Sequence, residues 1–129
     1  MGLIAGSISL VVLKNGDDLK SLSTAIVQSM RLTQLRSIRE DRPIQIRIDL
    51  EQNNIDFPEQ SVTLPKRFSL TVKTAANQVI DEQQVGMTFY PDASSTGGFI
   101  LLESDTEIFE ISIIWMTGKI KTRYESKAT

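Results

Sequence analysis

The chain has 129 residues, with no cysteine, no histidine, a single tryptophan and only 6% aromatic residues. Without cysteine there is no disulfide framework, redox dithiol or thiolate nucleophile. Without histidine there is no Ser-His-Asp triad and no imidazole acid–base group, and without either there is no ordinary zinc site. Any chemistry is left to carboxylates, lysines, hydroxyls and hard cations on oxygen. The chain also lacks a long apolar run. Met1–Leu13 holds Leu3, Ile4, Ile8, Leu10, Val11, Val12 and Leu13 with no charge before Lys14, but a bilayer needs about 20 residues. This stretch has neither the basic n-region nor the clear cleavage site of a secretory signal. Lack of cysteine suits periplasm and cytosol equally.

What is present is enough apolar material for one core. Leu, Ile, Val and Phe make up about 30% of the chain, above the ~20% below which disorder is expected, and the length fits one domain. Net charge is −2, unevenly spread. Residues 1–47 carry seven Lys or Arg against four Asp or Glu, and residues 48–129 carry seven against twelve. The acidic body is a poor match for a phosphate backbone.

The local patterns predict one long helix followed by strands. Asn15-Gly16 breaks the chain, and Asp17 or Asp18 can cap a helix over about residues 17–40. Leu19, Leu22, Ile26, Met30 and Thr33 recur at three- and four-residue steps, with Val27, Leu35 and Ile38 widening the stripe. Pro43 stops it. Alternation then predicts strands within residues 44–124: Ile44 to Leu50, Phe68 to Lys73, Met87 to Phe89, Phe99 to Leu102, Phe109 to Trp115 and Lys119 to Tyr124. Phe109, Ile111, Ile113 and Trp115 share one face, expected to point inward. Phe99 to Leu102 is apolar on both faces, as for a more central strand. Turn signals at Asn53-Asn54, Pro58, Pro65, Asn77, Pro91-Asp92, Gly97-Gly98 and Thr117-Gly118 separate them. Segregation of helix from strands argues for an α+β fold, a long N-terminal helix packed on an antiparallel sheet or sandwich.

Three constellations invite a chemical reading, and each has a plainer one. Arg31, Arg36, Arg39, Arg42 and Arg47 could form a nucleic-acid patch, but Arg31, Arg36 and Arg39 spread over roughly 140° of the helix, with no interleaved aromatics for base stacking. They read as a dipole-compensating end paired to Glu40 and Asp41, which argues against nucleic acid. Asp92, Ser94, Ser95 and Thr96, with Asp105 and Glu107 further on, lack the carboxylate density of a calcium loop and read as a polar turn. Glu103, Asp105, Glu107 and Glu110, or Asp81-Glu82, could supply an acid–base pair, but a hairpin turn near Ser104–Asp105 would split the first set. No phosphate loop, nucleophile elbow or metal spacing occurs. The sequence therefore points to no enzyme activity, cofactor or small-molecule substrate.

Two stretches are more specific: Phe89-Tyr90-Pro91-Asp92-Ala93-Ser94-Ser95-Thr96-Gly97-Gly98 and Trp115-Met116-Thr117-Gly118-Lys119-Ile120. Together they resemble the C-terminal signature of H-type minor pseudopilins of bacterial type II secretion, within the wider GspH/FimT family. That family has a Pro-Asp-Gly-Ser-Ser-Thr-Gly-Gly-like loop and a Trp-Leu-Thr-Gly-Arg-Val-like ending. Ala93 stands where the loop usually has glycine, a residue that often serves positive φ. Arg36 to Pro43 with the strand after it looks like the family's helix end and first strand. Gly2-Leu3-Ile4-Ala5-Gly6 looks like the second half of its membrane helix.

The resemblance covers nearly the whole chain and implies a pseudopilin fold. Residues 1–16 would be the remnant of a transmembrane and filament helix that packs through Leu3, Ile4, Ile8, Val11 and Val12, and residues 17–129 a periplasmic domain. The family's basic leader, prepilin-peptidase site and glutamate-bearing start do not stand before Met1, which suggests a trimmed chain or a start codon assigned too late. A full-length form would be processed and methylated as a prepilin. It would sit single-pass in the bacterial inner membrane, assemble with major and minor pseudopilins and secretion-channel components, and help export folded proteins. A minor pilin of type IV pili, with a DNA- or ligand-binding tip role, is the alternative. The signature residues are Pro91, Asp92, Ser94, Ser95, Thr96, Gly97 and Gly98 in the loop, and Trp115, Thr117 and Gly118 near the end.

Overall fold

The computed structural model describes residues 9–10, 18–74 and 78–127. The filament-packing residues Leu3, Ile4, Ile8, Val11 and Val12, the Asn15-Gly16 break and the Asn77 turn lie outside the described residues.

Helix α1 spans Leu19–Glu40, two residues shorter at its start than the spacing predicts, because Asp18 is the cap. Its carboxylate accepts the Ser21 N–H at 2.8 Å, satisfying one of the orphan donors of the first turn. This bond holds the Asp18 carboxyl below its ordinary range. At the other end Asp41 turns left-handed (φ 53°), and Arg42 N–H returns to the Ser37 carbonyl at 3.2 Å, closing the helix ahead of Pro43.

The strands are β1 (Ser9–Leu10), β2 (Ile44–Asp49), β3 (Asn54–Asp56), β4 (Gln60–Thr63), β5 (Ser69–Lys73), β6 (Gln84–Phe89), β7 (Gly98–Glu103), β8 (Glu107–Ile113) and β9 (Ile120–Ser126). They form two sheets, ordered β1-β4-β3-β2-β6 and β5-β7-β8-β9. All pairings are antiparallel except β1 on β4, where Ser9 and Leu10 run parallel to Gln60 and Ser61. The α+β architecture of one helix on antiparallel sheets is as predicted. Strand β7 is interior, and the turn between β7 and β8 falls at residues 104–106, so the acidic run is split. Strands β3 and β4 have no counterpart in the sequence reading, since three or four residues between turns carry too little alternation to register.

Register explains the core. Ile44, Ile46 and Ile48 lie opposite Phe89, Met87 and Val85 in one sheet. Ile100 and Leu102 lie opposite Ile111 and Phe109 in the other. All ten are buried. Helix α1 touches β2 and β6 of the first sheet and β7, β8 and β9 of the second. Its buried Leu19, Leu22, Ile26, Val27 and Met30 join both inner faces into one cluster.

Three sequence expectations fail here. Trp115 does not continue the inward face of Phe109, Ile111 and Ile113. Strand β8 ends at Ile113, alternation ends with it, and Trp115 is 60% exposed. Leu35 and Ile38 do not widen the buried stripe either, at 58% and 45% exposed. At 100° per residue they turn away from the sheets while Thr33 and Ser37 turn in.

Candidate functional site

The two signature stretches meet at one corner of the molecule. Residues 90–97 carry the chain from β6 in the first sheet to β7 in the second, and residues 114–119 join β8 to β9. Pro91 fixes φ at the second position of a turn closed by Ala93 N–H on the Tyr90 carbonyl at 3.0 Å. Asp92 accepts from the Ser94 N–H at 3.0 Å and from its hydroxyl at 2.5 Å. These two bonds hold the Asp92 carboxyl below its ordinary range. Tyr90 N–H then reaches the Ser94 carbonyl at 2.9 Å.

Beyond the turn the loop pairs back on the end of β6. Ser95 bridges to Phe89. Thr96 N–H donates to the Thr88 carbonyl at 3.0 Å, and Thr88 N–H to Thr96 Oγ1 at 3.1 Å. The Ser95 hydroxyl, buried, accepts from Gly97 N–H at 2.9 Å. The link to the second stretch is Ser95 N–H on the Trp115 carbonyl at 2.8 Å.

Glycine is required where the loops touch. Gly118 has φ 71°, and a Cβ there would lie 1.9 Å from the Ala93 carbonyl oxygen. At Gly97 a Cβ would meet the Trp115 Cβ at 2.9 Å. Gly98 opens β7 opposite Ile113. Within the second loop Gly118 N–H bonds the Ile114 carbonyl at 2.7 Å, Ile114 N–H bonds the Lys119 carbonyl at 2.9 Å, and Thr117 Oγ1 accepts from Lys119 N–H at 3.2 Å. Ala93 keeps a positive φ of 77° without glycine's freedom, a conformation that costs an L-residue about 1 kcal/mol or more.

The helix is clipped to the same corner. Gln34 Nε2 donates to the Gly118 carbonyl, and the Ser37 hydroxyl lies 3.0 Å from the Phe89 carbonyl and 2.7 Å from that of Arg42. Neither serine nor glutamine stands out by periodicity. Only the contact with the signature loops shows what they do. The corner's own surface is apolar: Ile114, Trp115 and Met116 are 36%, 60% and 64% exposed, on a loop whose backbone is held from three sides.

The corner is a pair of hydrogen-bonded loops that exposes three apolar side chains. Asp92 is its one carboxylate, and that group is occupied by Ser94. Asp105 and Glu107 are not brought to it; they border a shallow depression with Asp18, Arg67, Phe68 and Ser104. Of the other candidate carboxylates, Glu103 pairs with Lys127 at 3.3 Å, Glu107 with the Tyr124 hydroxyl and Glu110 with Arg123 at 2.9 Å, and Asp81 accepts from the Gln83 and Gln84 N–H groups at 2.7 and 2.8 Å. Among the described residues no cluster of three potential metal ligands occurs. The helix-end arginines are only partly engaged, and Arg31 and Arg39 form no ion pair among the described residues. Arg36 pairs with Glu40 at 2.8 Å and Glu59 at 3.6 Å, and Arg42 with Glu40 at 2.8 Å. These cations, Arg42 first, hold the Glu40 carboxyl low. Asp41 makes the helix cap instead of an ion pair with them.

Comparison with known proteins bears on this geometry. Type II secretion system protein H of Xanthomonas campestris pv. campestris is 29% identical over 128 residues, covering 92% of this chain and 73% of the relative. These findings support a GspH-like pseudopilin. No family model matches the chain, and no solved structure does. The long helix on antiparallel sheets is consistent with the pseudopilin fold. Among the described residues no helix is long and apolar enough to cross a membrane.

Proposed function

We propose that this GspH-like chain is a structural minor subunit of a type II secretion pseudopilus. Similarity to a secretion protein H along 92% of the chain carries the reading. The site supports it: what the signature residues build is a braced apolar corner, a device for contact between proteins. In this role the protein performs no chemistry on a substrate and needs no cofactor. Residues 1–16, released from the Ser9–Leu10 pairing with β4, contribute the rear part of a helix that anchors the subunit in the inner membrane and then packs against other pseudopilins. The domain of residues 17–129 faces the periplasm, where Trp115 and Met116 meet a neighbouring subunit or the channel.

The reading is tested in the source bacterium by an in-frame deletion, followed by measurement of exoprotein in the medium and in the periplasm. The expected result is periplasmic accumulation, restored by the intact gene and poorly restored by Trp115→Ala. Undiminished secretion by the deletion strain would overturn the role. Full rescue by Trp115→Ala would remove the corner from it.

A further inference from the structure

The chain has four methionines and no cysteine. With no thiol to react first, the thioethers are its softest and most readily oxidised side chains. Their settings differ. Met30 in α1 is fully buried. Met87 in β6 is 1% exposed, and its methyl group lies close against Gly98. Met1 lies outside the described residues. Met116 is 64% exposed, in the loop of residues 114–119.

That loop gives the Met116 side chain nowhere to retreat. Gly118 N–H on the Ile114 carbonyl and Ile114 N–H on the Lys119 carbonyl close its base at 2.7 and 2.9 Å. Ser95 N–H ties the Trp115 carbonyl from the neighbouring loop at 2.8 Å. These are main-chain bonds, so a change at the Met116 sulfur leaves them standing. It alters only the surface, where Met116 shares the apolar tip with Ile114 and Trp115.

We propose that Met116 is a reversible oxidation site, and that its conversion to the sulfoxide by a peroxide switches off contact at the corner. The sulfur lone pair attacks one oxygen of hydrogen peroxide. The S–O bond forms as the O–O bond breaks, and the departing hydroxide takes the proton of the transferred oxygen and leaves as water. Sulfur loses two electrons and the peroxide gains them. An apolar side chain thereby becomes a strongly polar acceptor. Pressed against an apolar partner surface, the new oxygen loses its water without gaining a donor, which weakens the contact. Contact also covers the sulfur, so the free subunit is the form that oxidises. A thiol-dependent sulfoxide reductase reverses the step, releasing water while two thiols become a disulfide. The site stands on geometry alone, and its effect on assembly rests on the role proposed above for Trp115 and Met116.

The site is tested by brief treatment of the folded full chain with hydrogen peroxide, followed by peptide mass mapping. Met116 should gain one oxygen roughly tenfold or more faster than Met30 and Met87, with Met1 scored on its own peptide. Circular dichroism and the melting temperature should not change, and a methionine sulfoxide reductase with a dithiol should remove the oxygen. Equal rates at Met116 and the two buried methionines would overturn the site, and so would unfolding that accompanies Met116 oxidation. The consequence is tested in the deletion strain. Met116→Leu is close in volume and has no sulfur, so it should restore secretion. Met116→Gln, polar like the sulfoxide, should restore it poorly. Brief peroxide exposure should depress secretion more with the parent gene than with Met116→Leu. Full rescue by Met116→Gln, or equal peroxide sensitivity of the parent and Met116→Leu strains, would overturn the switch. Full rescue by Trp115→Ala would overturn the corner's assembly role and the switch with it, while selective oxidation in the mass map would still stand.

Discussion

The two halves of α1 are held in place by different forces. From Leu19 to Met30 the inward face is aliphatic, with Leu19, Leu22, Ile26, Val27 and Met30 all buried. From Leu32 to Ile38 the pattern inverts. Thr33 and Ser37 are buried, and Leu32, Leu35 and Ile38 are 58%, 58% and 45% exposed. The first half is anchored by removal of apolar surface from water. The second is anchored by hydrogen bonds from Gln34 and Ser37 to the carbonyls of Gly118 and Phe89. The difference teaches that a helix can be positioned by a polar clip where the sheets meet at a corner, leaving its leucines on the outside.

The contrast can be broken by substitution. Ile26→Ala in the first half should cost about 2–5 kcal/mol, read by chemical denaturation. Leu35→Gln in the second half should stay within about 0.5 kcal/mol of the parent; a loss comparable to Ile26→Ala would show that the outer leucines are core residues after all. Ser37→Ala should cost about 1–3 kcal/mol, because it leaves buried carbonyls short of a donor, and Ser37→Thr should recover part of that.

Two substitutions should stabilise. Ser23, buried in the aliphatic half, has a hydroxyl with no hydrogen-bond partner among the described residues, so Ser23→Ala should raise stability by about 1 kcal/mol. Ala93→Gly should relieve the positive φ at the corner and gain up to about 1 kcal/mol, seen as a higher denaturation midpoint.

The smallest effect is one of pH. Asp18 caps the first half, Glu40 closes the second and Asp92 holds the corner loop, and all three carboxyls titrate below their ordinary range. Their contribution to stability is present above the unfolded-state values near 4 and is lost as pH falls through the lowered folded values. Melting temperature should therefore drop on acidification below about pH 4, and Asp18→Asn should flatten that limb. An unchanged acid limb in Asp18→Asn would show that the cap does not couple to folding.

Much of the scaffold was legible without coordinates. The helix, its end before Pro43, six of the strands and the turn after β7 follow from periodicity and turn chemistry, because long periodic segments encode their own burial. The candidate site was legible as two motifs but not as one place. Residues 91–98 and 115–118 are joined by Ser95 on Trp115 and by the fit of Gly118 against Ala93, and neither contact leaves a trace in local spacing. Alternation alone points Trp115 inward, but the β8 ladder ends two residues earlier, at Ile113. Gln34 and Ser37 leave no local signal, because a polar residue inside a helix has the same spacing whether it faces water or a carbonyl.

By itself the sequence determined what a short window can: where the chain is helical or extended, which chemistries lack their residues, and which two stretches are more specific than composition. Hydrophobic period and turn residues act over a few positions, so they can be read one segment at a time. Tertiary structure decided what depends on distant partners. It selected the residues of α1's second half that are buried, brought the two motifs to one corner and turned Trp115 to solvent. Each of these follows from hydrogen bonds and packing between segments far apart in the chain, where no local pattern can choose among the geometries available.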